Sequence, residues 1–173
     1  MNWLDASVEV LALAAAMVAL YFLWVWQRLR QHPHVQPVEI AVPSIAQELN
    51  GVVSQVSAIA GVRAPRLFIR RAELPNAFVV ASFMRPELYM TDELLEWLDQ
   101  QHDGTDQLYR IVCHEIAHIK LHHEIPMGIA NMMQLVGKKL GIKVATTMGS
   151  RWIERMENDA DALSSDLYGM ACS

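Results

Sequence analysis

The sequence predicts an α+β fold, with an N-terminal transmembrane helix followed by a mostly helical domain that carries a small β-sheet. Three observations predict it. A long apolar run occupies Val8 to Trp26. Apolar residues then recur at helical spacing in several stretches between Ser44 and Tyr168. Between them lie three short segments rich in β-formers and punctuated by Pro75 and Pro86. At 173 residues the chain has room for one sizeable core and a short appendage. The expected division is an anchor over 1–30, a linker over 31–43 and one folded domain over 44–173.

The apolar run reads VEVLALAAAMVALYFLWVW, with Glu9 at its edge the one charge. As a helix it measures about 28 Å, close to the roughly 30 Å of a bilayer's hydrocarbon core. Trp3, Trp24 and Trp26 sit near its ends, where interfacial aromatic residues belong. A cleaved signal peptide needs a basic start and a small-residue cleavage site. Here Asp5 and Glu9 precede the core of the run, and it ends in Trp-Val-Trp-Gln-Arg. Arg28 and Arg30 follow directly, so the positive-inside rule places the rest of the chain in the cytoplasm. The expected localisation is a single-pass membrane protein, held in the lipid bilayer through residues 8–26.

Pro33, Pro37 and Pro43 make residues 31–43 a stiff, extended linker. Ser44 is placed to cap a helix reaching Ala60, with Ile45, Leu49, Val52, Val56 and Ile59 as its apolar stripe and Gly61 as its stop. Arg66–Arg71, Asn76–Phe83 and Glu87–Met90 read as strands. Thr91 or Asp92 caps a helix to Gln100, and a further helix runs from Thr105 to His123. Pro126 to Leu140 is apolar and Met-rich, and reads either as a core helix or as a membrane-surface element. The last helix covers Ser150 to Tyr168.

Composition excludes some functions. The net charge is −5, whereas a general nucleic-acid binder carries a basic face. The small cluster Arg63, Arg66, Arg70 and Arg71 reads as a solvated strand edge. Cys113 and Cys172 form no disulfide framework.

The chemistry concentrates in His114-Glu115-Ile116-Ala117-His118, an HExxH motif. Residues four apart share a helical face, so two imidazoles can meet one Zn²⁺. Glu115 between them is placed to accept a proton from a water at the metal. The third ligand of one large class lies three and six residues beyond the second histidine, as glycine then histidine; Leu121 and Glu124 stand there instead. The alternative is a glutamate on a later helix, and Glu154-Arg155-Met156-Glu157-Asn158-Asp159-Ala160-Asp161 offers one. Glu157 and Asp161 share a face, so Glu157 can ligate while Asp161 holds the far nitrogen of a ligand histidine. Glu154, one turn earlier, is the reserve ligand. His122 continues the His118 row and could be a fourth ligand, a substrate contact or an exposed helical histidine.

HEIAH followed by ENDAD resembles the HtpX-like zinc metallopeptidases, relatives of the zinc-dependent CAAX prenyl proteases. Leu74-Pro75-Asn76-Ala77-Phe78 resembles the segment that this family carries ahead of its HExxH helix, on the strand bordering the cleft. Tyr89-Met90-Thr91 with Glu93-Leu94-Leu95 resembles the family's strand-to-helix step. The likeness spans roughly Val38 to Tyr168. It implies a gluzincin fold, one zinc per chain and endopeptidase activity. Carried over by position, His114, His118 and Glu157 would be ligands, Glu115 the catalytic base and Asp161 the supporting carboxylate. Asn76, Ala77 and Phe78 would then form the substrate strand, accepting an extended protein or peptide substrate by backbone pairing. The chain departs from the family in having one clear span, in Val79-Val80-Ala81-Ser82 after the Asn-Ala-Phe segment, and in stopping soon after ENDAD. A protein partner completing or regulating the cleft fits such a minimal member. Arg151, Arg155, Tyr168 and His122 are candidates for stabilising an oxyanion. A non-catalytic zinc-binding membrane module and a metal-free membrane-anchored interaction protein are the competing readings.

Overall fold

The computed structural model describes residues 34–80 and 85–172, with Ala16 and Leu20 described singly. The expected transmembrane segment otherwise lies outside the described residues, as do 81–83 of the expected second strand. Among the described residues no helix is long and apolar enough to cross a membrane. By its internal contacts the chain divides into two units, Met1–His32 and Pro33–Ser173. The second is mostly helical with a small mixed sheet, the expected α+β class.

Where an extended linker was expected, Val35–Pro37 is strand β1 and Val38–Ala41 a single helical turn, α1. The cause is burial: Val38 is fully enclosed, and β1 pairs antiparallel with β2, Arg66–Arg70. The sheet continues through β4, Glu87–Thr91, parallel to β2, and ends in β3, Ala77–Val80, antiparallel to β4. The order is β1-β2-β4-β3, so β3 is an edge strand. Central β4 is buried at every residue. Its one carboxylate, Glu87, accepts from Arg66 Nη2 and from the Tyr89 hydroxyl, both at 2.9 Å, which offsets the cost of taking it out of water. Phe68, Tyr89 and Phe78 are register partners on one face and stack at 5.3 and 5.1 Å. That aromatic row pins the register of β3.

Helix α2, Ala46–Ala60, begins after Ile45 with no side-chain cap, so Ser44 does not play that part. Ile45 is correspondingly exposed, and Ala46, Leu49, Val52, Val53 and Val56 form the buried face. Gly61 stops the helix at φ 67°, as expected. Helix α3, Asp92–Gln100, is capped by Thr91, whose hydroxyl accepts from the Leu94 N–H. Helix α4, Gly104–Lys120, packs Val112, Ile116 and Ile119 into the core with α2 and the sheet. Cys113 is buried there and Cys172 is exposed, both as free thiols.

Helices α5, Glu124–Leu140, and α6, Lys143–Ala171, form a hairpin around Gly141. Only Ala130 and Gly137 of α5 are buried, so it is not a core helix. The last helix starts seven residues before the expected Ser150 (150 − 143 = 7). Thr146, Thr147 and Gly149 lower local helix propensity. Packing against α5 overrides that preference, and Gly149 is buried at the crossing.

Candidate metal centre

Helix α4 carries its apolar residues inward, and the same rotation turns His114, Glu115 and His118 toward β3 and α6. His118 and Glu115 are buried and His114 is half-buried. Helix α6 crosses α4 and brings in Glu157. His114 Nε2 and His118 Nε2 stand 3.1 Å apart. Glu157 Oε2 lies 3.2 Å from the first and 3.6 Å from the second. These three are the one group of at least three possible metal-ligating side chains found close together among the described residues.

The surrounding contacts determine where the protons sit. His114 Nδ1 is 3.0 Å from Asp161 Oδ1, and His118 Nδ1 is 3.2 Å from His123 Nδ1. Burial, then the neighbouring His114 charge, lowers the His118 pKa and keeps that ring neutral. With hydrogens on Nδ1 of both rings, directed at Asp161 and at His123, two Nε2 lone pairs and a carboxylate oxygen face one another. Electron-rich atoms converge in this way around a cation. A tetrahedral zinc with bonds near 2.05 Å has ligand atoms about 3.3 Å apart. The observed 3.1, 3.2 and 3.6 Å bracket that edge, so the donor set fits zinc in size and in chemistry.

Glu115 lies beside this trio. Burial pushes its carboxyl up to about 7; the His114 charge and a hydrogen bond from the Val79 backbone oppose the rise without cancelling it. That bond locates β3. Asn76 turns both its N–H and its C=O toward β4, bonding Thr91 Oγ1 and the Thr91 N–H at 2.9 Å each. Alternation along the strand therefore turns the N–H and C=O of Ala77 and Val79 to the free edge. Asn76, Ala77, Phe78 and Glu115 line a cleft of about 470 Å³ with His118 and Glu157. A second hollow of about 450 Å³ continues past His114 along Asn76 and Ala77 to Asp161 and Ser164.

Asn76, Ala77, Phe78, His114, Glu115, His118 and Glu157 line the first cleft, and Asp161 lines the second hollow beside it. Phe78 differs in detail, since its ring stacks on Tyr89 and its backbone shares the cleft. His122 does not join: it sits past the helix end at φ 55°, exposed. His123 takes the place against His118, an arrangement that helical spacing could not reveal because the helix has already ended. Arg151, Arg155 and Tyr168 line neither hollow; Tyr168 instead bonds Asp106 and stacks under Arg110. The contact of the Val79 N–H with Glu115 was likewise invisible in the sequence.

Paired helical histidines, a distant glutamate and a buried carboxyl against an edge strand make a candidate metal centre of the HExxH-plus-glutamate type. The comparisons with known proteins agree. The sequence profile of peptidase family M48 matches residues 43–162, and the chain belongs to that family, with HtpX-like relatives. The plastoglobule-localized metallopeptidase 48 of Arabidopsis thaliana chloroplasts is 26% identical over 121 residues, covering 66% of this chain and 34% of that protein. A protease HtpX homolog of Sulfurovum is 27% identical over 116 residues, covering 66% and 39%. Protease HtpX homolog 1 of Sulfolobus acidocaldarius is 32% identical over 80 residues, covering 46% and 24%. The chain therefore matches less than half the length of each of these relatives. No solved structure matches significantly.

Proposed function

We propose that this chain is a zinc-dependent endopeptidase acting on unfolded or extended protein segments, anchored in a membrane through residues 8–26 with residues 44–173 facing the cytoplasm. His114, His118 and Glu157 hold one zinc per chain. The observation that carries the reading is the convergence of their three lone-pair donors beside the buried Glu115.

Zinc bound there supplies Lewis acidity, which makes a water more acidic and a scissile carbonyl more electrophilic. The protein's residues do the rest. Asp161 holds the Nδ1 hydrogen of His114, fixing its tautomer and ring orientation. His123 Nδ1, 3.2 Å from His118 Nδ1, holds the orientation of the His118 ring. Glu115, buried beside the three donors, takes the proton of the attacking water and delivers it to the leaving amine. The free edge of β3 at Ala77 offers one N–H and one C=O to an extended substrate backbone, a mode that accepts many sequences. A structural zinc is closed by four protein ligands. Among the described residues three side chains converge, and His122 turns away, which favours the catalytic reading.

Glu115→Gln tests this. Hydrolysis of an unfolded protein substrate should fall by about 10²- to 10⁴-fold, the usual contribution of a positioned general base. Zinc measured on the same sample should remain at one per chain. Undiminished hydrolysis would remove the mechanism.

A further inference from the structure

The α5–α6 hairpin carries a feature that the peptidase chemistry does not use. Helix α5 packs on α6 and on no other element to any comparable extent. Around the turn, Leu135, Val136, Leu140, Ile142, Val144 and Met148 are all exposed, with Leu140 at 67% and Val144 at 69%. Single exposed apolar residues are ordinary, but six within fourteen positions at one tip form a patch.

The charge around that patch is one-sided. Between Glu124 and Glu154 there is no acidic residue, while Lys138, Lys139, Lys143 and Arg151 all lie there. This stretch carries +4 in a chain whose net charge is −5, leaving −9 for the remainder (−5 − 4 = −9). The tip is also built to hold its shape. Gly141 turns the chain at φ 68°. At Gly137 an added Cβ would fall 2.5 Å from Thr146 Oγ1 and 2.8 Å from its backbone nitrogen, so the two helices meet there at backbone distance. Neither helix is apolar enough to span a bilayer.

We infer that the tip of this hairpin docks on the surface of an anionic phospholipid bilayer, with its apolar side chains at the acyl boundary and Lys138, Lys139 and Lys143 among the headgroups. Apolar side chains ringed by lysines match that interface in both polarity and charge. A second copy of the chain would bring +4 against +4. Met127 and Asn131, in the first half of α5, line the metal-site cleft, so a docked tip holds the cleft within about one helix length, roughly 26 Å, of the lipid. The inference depends neither on peptidase activity nor on the anchor at 8–26.

The test uses the full chain carrying Cys172→Ser, with an environment-sensitive fluorophore on Leu140→Cys or Val144→Cys and a control label on Ser165→Cys. Each protein is reconstituted in phosphatidylcholine vesicles with and without a one-third fraction of phosphatidylglycerol. Any contribution of Val8–Trp26 is then common to all tip variants. The tip labels should enter a water-poor environment and be quenched by acyl-chain spin labels in the anionic vesicles, while the Ser165 label stays in water. Each lysine near an anionic surface is worth roughly fivefold, so replacing Lys138, Lys139 and Lys143 with Gln should lower the docked-to-undocked ratio on the order of 100-fold. Circular dichroism of each variant checks that the helices persist. Tip labels as wet as the control overturn the inference. So does docking that ignores lipid charge, or labels that dry out by pairing with a second tip in detergent alone.

Discussion

Glu115 decides more than any other single residue, because its position ties the proposed catalysis to stability. In metal-free protein burial lifts its carboxyl from the ordinary 4.5 to about 7. The folded chain then keeps a proton that the unfolded chain has already released. Stability from this group is fully present below about 4.5 and is lost as pH rises through about 7. His118 acts in the opposite direction: its pKa is lowered by burial, so its contribution is lost as pH falls below the ordinary 6.5. The two can be separated by substitution. The difference in unfolding free energy between Glu115→Gln and the parent, both stripped of metal, should change by about 3 kcal/mol between those limits. Urea titrations at a series of pH values would measure it, and a difference flat in pH would mean that Glu115 is not held in a dry site. The HExxH spacing made both histidines and Glu115 legible from sequence. It could not show His123 reaching back, since His122 leaves the helix at φ 55° and only then does His123 return to the His118 ring.

At the scale of elements, the join between sheet and helix sets where the cleft lies. Thr91 ends β4 and caps α3, accepting from the Leu94 N–H at 3.2 Å. The same hydroxyl donates to the Leu74 carbonyl at 3.0 Å and accepts from the Asn76 N–H at 2.9 Å. One buried hydroxyl therefore anchors both the helix start and the entry to β3. Thr91→Val keeps the shape and removes all three contacts, stranding two N–H donors. We expect a loss of about 1–3 kcal/mol, with KM rising more than kcat falls, because β3 is displaced while the histidines are not. Unchanged KM in a folded variant would disconnect β3 from substrate. Thr91 was readable as a cap from its place before an amphipathic stretch, and Gly61 as a stop. Ser44 was an error of the same reasoning: local chemistry favoured a cap there, but the helix begins two residues later, at Ala46, where the side chain is buried. Residues 35–41 were misread because prolines suggested a free linker, while the pairing with β2 that orders them is long-range. Residues 143–149 were missed because their helix rests on α5, a tertiary contact that local preference does not contain.

For the whole molecule, the metal site is the point at which distant parts of the chain are tied together. Glu157 follows His114 by 43 residues (157 − 114 = 43), and the whole of α5 lies between them. The hairpin holds α6 from one end, and core residues Ala160 and Leu167 hold it from the other. Glu157 itself sits on the half-exposed stretch between those supports. A cation binding both helices would cross-link α4 to α6 at this point. It would bind the native state and not the unfolded chain, in which the three donors are scattered. Zinc at a thousand times its dissociation constant should then add about 4 kcal/mol, a rise in Tm on the order of 10 °C for a domain of this size. Chelation should reverse the rise. His118→Ala should abolish it, because the ring removed is the most buried donor and the remaining two cannot hold the ion as tightly. Glu115→Gln should leave it in place, since that carboxyl is not among the three converging donors. Thermal melts of the three proteins, with zinc and with chelator, therefore separate ligand from base without any substrate. An equal zinc-induced rise in the His118→Ala protein would show that the ion stabilises the chain somewhere else.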